Sequence, residues 1–308
     1  MRRNIMKIVK KLLAAIGILL LVILVGWAIL MFWHYPQYKA DKREISYNAP
    51  LDSTEIRTMS YNIRCLTPLD LGKKNWYYRA NLITECIETA EPTIIGFQEV
   101  TKWQYDYLVD TLVDFDSIIT YRDEAVNSEG CPIFYRTDLY TLIDKGSFWL
   151  SETPDVMSKD WGAACFRICS YVILKDNATE NEFVIFNTHL DHVSDEARIN
   201  GIQVVLDKIQ EFDSRPAILM GDLNAEEYTA TYESATESFL DAKYATANTM
   251  TSCTFQAWGE ELDRDCIDYI MISPDAFDVE FYEVITDTHD GAYSSDHFPL
   301  LTSLSLQE

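Results

Sequence analysis

Six short apolar runs in this sequence end in acids, amides or a histidine. They are Met59-Ser60-Tyr61-Asn62, Ile94-Ile95-Gly96-Phe97-Gln98-Glu99 and Val184-Ile185-Phe186-Asn187-Thr188-His189-Leu190-Asp191-His192. Ile218-Leu219-Met220-Gly221-Asp222-Leu223-Asn224, Cys266-Ile267-Asp268-Tyr269-Ile270 and Ser294-Ser295-Asp296-His297-Phe298-Pro299 complete the set. A charge beside a core strand is costly unless it is paired or bound to a metal. One such run would be read as a strand leaving the core through a polar turn. Six in one chain point instead to a shared rim rich in oxygen atoms, with two or three imidazoles. Oxygen donors of this kind suit Mg²⁺, with Mn²⁺ as the alternative.

The elements that must position these groups alternate between strand and helix patterns. Ile56–Ile63, Thr93–Phe97, Ile133–Arg136, Thr141–Leu150, Tyr171–Lys175, Glu182–Thr188, Ala217–Met220, Ile267–Ile272 and Val279–Val284 read as strands. Arg79–Thr89 and Trp103–Leu112 read as helices. The clearest helix is Asp195–Phe212, with Ile199, Ile202, Val205, Leu206 and Ile209 at helical spacing and Ser194 as its cap. Such a mixture predicts a layered α/β domain over residues 55–308.

The motifs stand in the order found in the endonuclease/exonuclease/phosphatase superfamily, which the chain resembles from about Ile56 to Leu304. Gly221-Asp222-Leu223-Asn224 and Ser295-Asp296-His297-Phe298-Pro299 carry most of that resemblance. Asn187-Thr188-His189-Leu190-Asp191-His192 is similar to a branch holding many bacterial secreted hydrolases. The resemblance implies a four-layer α/β/β/α sandwich of two packed mixed sheets, with the active site at one edge. It implies that Glu99, with Asn62 and Asp296, holds the metal. His297 would be the base or the electrostatic partner of the phosphate, oriented by Asp268. Asp222 would position or deprotonate the attacking water, Asn224 would bind phosphate, and His189 would be the second imidazole, protonating the leaving oxygen or contacting phosphate. Glu129 resembles the acid that pairs with that histidine, and Arg167 a phosphate-contacting arginine. Asn187 and Asp191 are expected on the substrate side. The loop at Ser128-Glu129-Gly130 departs from the family's Gly-Glu-Tyr. Arg122 reads as an ordinary turn residue, His34 and His289 as bystanders, and 150–166 as either a substrate lip or a loop anchored by its aromatics.

The amino-terminal part is of another character. Residues 1–11 carry five basic side chains and no acid, and Leu12–Trp33 runs 22 residues without a charge. At about 1.5 Å per residue this spans a hydrocarbon core of roughly 30 Å. A cleaved signal peptide would have a shorter apolar region and a small-x-small site, which Trp33-His34-Tyr35-Pro36 does not offer. The expected organisation is a cytoplasmic tail (1–11), a transmembrane anchor (12–33), a polar tether (34–54) and an extracytoplasmic catalytic domain. No acid precedes the anchor's end, so the part beyond it carries the remaining 20 basic and all 49 acidic residues, a formal charge of −29. That surface lacks the basic footprint of a general nucleic-acid binder. A small phosphoester or a lipid head group is the expected partner. Seven scattered cysteines without CxxC spacing argue against zinc. An oxidising location would permit one or two disulfides among them.

Two classes of function fit these features. One is a metal-dependent phosphoester hydrolase at the outer membrane face, with sphingomyelinase-like and nuclease activities as variants. The other is a catalytically inactive surface binding module of the same fold. Retention of both histidines together with all the carboxylates favours the enzyme.

Overall fold

The computed structural model describes residues 2–47, 54–212 and 215–307. Helix α1 (Arg2–Met31) is followed by a short α2 (Tyr35–Asp41). The α/β domain runs β1 (Ile56–Asn62), α3 (Trp76–Ala90), β2 (Ile94–Gln98), β3 (Val100–Thr101) and α4 (Lys102–Thr111). It continues through β4 (Phe115–Ile118), β5 (Glu129–Gly130), β6 (Ile133–Arg136), β7 (Tyr140–Trp149), β8 (Ile168–Asp176), β9 (Glu182–His189), α5 (Asp195–Gln210) and β10 (Ala217–Asp222). After α6 (Ala230–Thr236) come β11 (Leu240–Asp241), β12 (Thr249–Met250), β13 (Asp268–Ile272), β14 (Phe277–Val284) and β15 (Leu300–Leu306).

Among the described residues these strands build two mixed sheets, in the orders β12-β14-β15-β1-β2-β6-β4 and β11-β13-β10-β9-β8-β7, and a two-stranded sheet of β3 and β5. Strand side chains alternate between faces, and the three apolar clusters follow that alternation. Ile94, Ile218 and Met220 join the cluster between the sheets. Leu219 points the other way, toward Ile202, Val205 and Leu206 of α5. Ile95 faces Ile83 and Ile87 of α3 and Leu108 of α4. The chain is therefore a four-layer α/β/β/α sandwich.

The pairing register gathers the polar strand ends. β1 runs parallel to β2, with Asn62 opposite Gln98. β10 runs parallel to β9, with Asp222 opposite His189, and antiparallel to β13, with Asp222 opposite Asp268. These five strand ends thus open on one edge. The sheets are stapled below it by Asn187, whose amide donates to the carbonyls of Phe97 and Pro132 and whose oxygen accepts from Gln98 at 2.7 Å. Gly96 permits this approach, because a Cβ there would meet Met220 Sδ at 2.5 Å.

Residues Ile5–Asp41 contain a stretch long and apolar enough to cross a membrane, a property shared by anchors and signal sequences. The 34–54 segment corrects the expectation of a polar tether. Tyr38 stacks on Tyr107 of α4 and meets Tyr77 of α3 edge-on, and Ile45 is buried against Leu112. Arg43 bonds Asn81 and Glu88. Aromatic rings only three residues apart supply an apolar stripe that the surrounding polar residues mask. The part of the tether at 48–53 lies outside the described residues. All seven cysteines are free thiols.

Candidate active site

The edge where the strands end carries a cavity of about 840 Å³, lined among others by Glu99, His189, Asp222, Asn224, Asp296 and His297. Asp222 is its centre. The carboxylate accepts from Asn62 at 3.0 Å, stands 3.4 Å from His189 Nε2 and 3.8 Å from His297 Nε2, and takes the Asn224 amide at 2.9 Å. Burial and the neighbouring Asp268 push its pKa up to about 7. Asp268 sits 2.9 Å from His297 Nδ1, both buried. Burial opposes charge on His297, but Asp268, with Asp222 and Asp296, outweighs it and pushes the imidazole up to about 10. His189 behaves oppositely. Burial, and then Arg167 and Arg122, hold it well below 6.5. It is neutral near pH 7 and a poor proton donor, which disfavours the expected role of protonating the leaving oxygen.

Glu99 accepts from the Asn62 side chain at 3.2 Å and from the Cys65 amide at 3.0 Å. Asp296 lies 3.6 Å from the Arg64 guanidinium. Burial and the charge of Glu99 raise its pKa. Half-buried Glu99 and buried Asp296 form a carboxylate pair that fits a hard dication; Asn62 turns its NH₂ toward Glu99 and Asp222, and its oxygen accepts from the Arg64 amide at 3.0 Å. Among the described residues, ligand atoms of Asp222, Asp268 and His297 also lie within 4.8 Å of one another. The 2.9 Å bond between Asp268 and His297 reads better as an acid–imidazole pair. Arg64, Glu99 and Asn224 all have left-handed backbones, at φ 56°, 61° and 48°. Such conformations cost energy and cluster at functional sites.

Several expectations need correcting. Asp191 does not line the cavity. Its carboxylate accepts from the amides of Ala164, Cys165, Val193 and Ser194, so it fastens the 150–166 loop to the start of α5. Asn187 is likewise the inter-sheet staple described above. Glu129 pairs with Arg122 at 2.8 Å and not with His189. Arg167 does reach the cavity, bonded to His192 Nδ1 at 2.9 Å, so His192 belongs to the site too.

Sequence reasoning missed four arginines. Arg64, Arg122, Arg198 and Arg264 line the cavity alongside Arg167. The buried Nε of Arg122 and of Arg167 has no hydrogen-bond partner in the protein. Their signal in the sequence was weak, because turns and a helix face bring them in from distant segments. Phe255 packs edge-on to the His297 ring at 5.0 Å and was also not foreseen.

Residues 59–297 match the family described as the Endonuclease/Exonuclease/phosphatase family. An endonuclease/exonuclease/phosphatase of Bacteroides vulgatus has a similar structure, at TM-score 0.78 and 35% identity, covering 83% of this chain and 100% of that one. A mannosyl-6-phosphatase of Bacteroides thetaiotaomicron superposes at TM-score 0.74 with 32% identity, over 81% of this chain and 99% of the other. Uncharacterized protein L388 of Acanthamoeba polyphaga mimivirus is 31% identical over 162 residues, which make up 49% of this chain and 60% of that protein. The chain belongs to the endonuclease/exonuclease/phosphatase family, whose members are hydrolases acting on phosphoesters.

Proposed function

We propose that the chain is a divalent-metal-dependent phosphatase for a small phosphorylated molecule, held at the outer face of a membrane by α1. The observation that carries this reading is the arginine lining of the cavity. Five arginines line it in a chain whose net charge is −24. Six acids (Glu99, Glu129, Asp195, Asp222, Glu226 and Asp296) line it as well, so the cavity is close to neutral inside an acidic surface; a compact anion can reach its arginines, whereas the surroundings repel a polyanion. Its size suits a small molecule. The guanidinium groups of Arg122 and Arg167 line the cavity, a ready place for phosphoryl oxygens, while their Nε atoms stand 4.0 Å from Asp123 and 3.7 Å from Asp191. The likeness to a mannosyl-6-phosphatase makes a sugar phosphate the first class to try.

Glu99 and Asp296, with Asn62 beside them, would hold Mg²⁺ or Mn²⁺. When bound, the ion would polarise a phosphoryl oxygen and offset its growing charge. Asp222 takes a proton from the attacking water as the new oxygen–phosphorus bond forms, and the ester bond breaks with the departing oxygen taking up a proton from solvent. His297, kept cationic by Asp268, donates from Nε2 to a phosphoryl oxygen. Neutral His189 helps fix the Asp222 carboxylate, and Asn224 lies beside it. An inactive binding module would have no use for this acid–imidazole pair facing a carboxylate.

The test is turnover by the full chain with Mg²⁺, read as phosphate release from hexose 6-phosphates, p-nitrophenol release from bis-p-nitrophenyl phosphate and cleavage of a short oligonucleotide. Turnover highest on the monoesters supports the proposal. Preference for the diester or the oligonucleotide would replace it with a phosphodiesterase or nuclease.

A further inference from the structure

The loop that leaves the active site also touches the apolar helix. After Asn62, β1 passes into Arg64-Cys65-Leu66-Thr67-Pro68-Leu69-Asp70-Leu71. Trp27 of α1 donates its indole N–H to the Pro68 carbonyl at 3.2 Å. Four residues on, Met31 is buried at the end of α1, and its sulfur accepts from Asn75 at 3.1 Å. Phe32 stacks on Tyr77 at 5.7 Å. Together with the packed α2, these contacts fasten α1 to the domain among the described residues. The tip of the loop is apolar and open, with Leu69 85% and Leu71 37% exposed.

We infer that loop 66–71 lies in the headgroup layer of the bilayer that holds α1, so that the active-site edge of the sandwich is its membrane-facing edge. This rests on the reading of α1 as an anchor. Trp27 lies four residues inside the end of α1, about 6 Å at the helical rise. Pro68 is bonded to it, so Leu69 shares roughly that depth, which is where interfacial apolar side chains settle. The other end of the loop is catalytic. The Cys65 amide holds Glu99, and Arg64 lines the cavity while its Nε reaches Asp70 at 3.3 Å. Lipid contact at Leu69 therefore stands one residue from the acid that positions a cavity-lining arginine. The occupant is a lipid surface, because the only partner the loop touches outside the domain, among the described residues, is the apolar helix itself.

The test places a benzophenone amino acid at position 69 or position 178 of the full chain, reconstituted in phosphatidylcholine–phosphatidylglycerol vesicles. Ala178 lies in the exposed β8–β9 turn, at the opposite end of β9 from His189. Flotation first shows whether the chain is in the membrane, and thermal melts show that both variants fold. Lipid adducts after illumination at 69, several-fold above those at 178, support the inference. Floating chain with no excess at 69 overturns it and leaves the anchor standing. Chain that does not float overturns the anchor, and the inference with it.

Discussion

Gly221 should be irreplaceable even by alanine. Its φ is +143°, a backbone that L-residues rarely adopt, and a Cβ there would stand 2.0 Å from the Thr188 carbonyl oxygen. Ordinary contact begins near 3.4 Å, so β9 and β10 would have to part by about 1.4 Å at this point. The strained backbone costs about 1–3 kcal/mol. Each ladder hydrogen bond loosened by the opening costs about 1 kcal/mol more. Gly221→Ala should therefore lose about 3–5 kcal/mol in urea unfolding. The functional loss should exceed what unfolding explains. The next residue is Asp222, paired in register with His189, and a misplacement of about 1 Å at a reacting group can cost 10²-fold in rate. Urea titration followed by phosphate release, under conditions where the variant is fully folded, measures both. A variant within 1 kcal/mol of the parent and equally active would refute the close approach of β9 and β10 and the placement of Asp222 that depends on it.

Asp268→Asn removes the charge that keeps His297 cationic while retaining an acceptor. It should lower kcat by about 10²–10⁴-fold with KM little changed, read from steady-state kinetics. Asp191→Ala leaves four backbone amides without their acceptor and should cost about 3–5 kcal/mol in urea unfolding, the scale of an orphaned buried partner. Burial opposes ionisation of Asp191, but the amides of Ser194, Val193 and Cys165 hold its pKa below 3.8. Its contribution is therefore full above the unfolded value and disappears as pH falls through the lower folded one. The stability gap between parent and Asp191→Ala should close in acid unfolding below about pH 4. Arg122→Met should raise KM for a phosphate ester about tenfold or more, because it removes a phosphate donor and leaves Glu129 facing the substrate. Steady-state kinetics with a hexose 6-phosphate checks it, and an unchanged KM would place phosphate elsewhere.

Much of the site was legible because each strand carries its polar group at its end. Gly221-Asp222-Leu223-Asn224 and Ser295-Asp296-His297 announce themselves locally, and parallel pairing of β1 with β2 and β9 with β10 brings such ends together. What failed was partner assignment. Asp191 and Asn187 stand in the same motif as His189, yet one caps backbone amides and the other bridges the sheets. Alternation along a strand sends neighbours to different surroundings, and only the opposite sheet decides what they meet. Glu129 was assigned to a histidine because nothing local revealed Arg122 seven residues before it as its partner. Arg198 and Arg264 reach the cavity from a helix face and a loop, where no local motif marks them. The 34–47 segment was taken for a tether because its stripe of tyrosines is short and its charged residues are many.

The central claim is metal-dependent hydrolysis centred on Asp222 and His297. The most direct measurement is phosphate release from a hexose 6-phosphate by the full chain after EDTA treatment, before and after Mg²⁺ is restored, beside His297→Ala. The account predicts no turnover in EDTA, recovery with Mg²⁺, and none in the variant under either condition. Turnover that EDTA does not touch, or that His297→Ala retains in full, would contradict it.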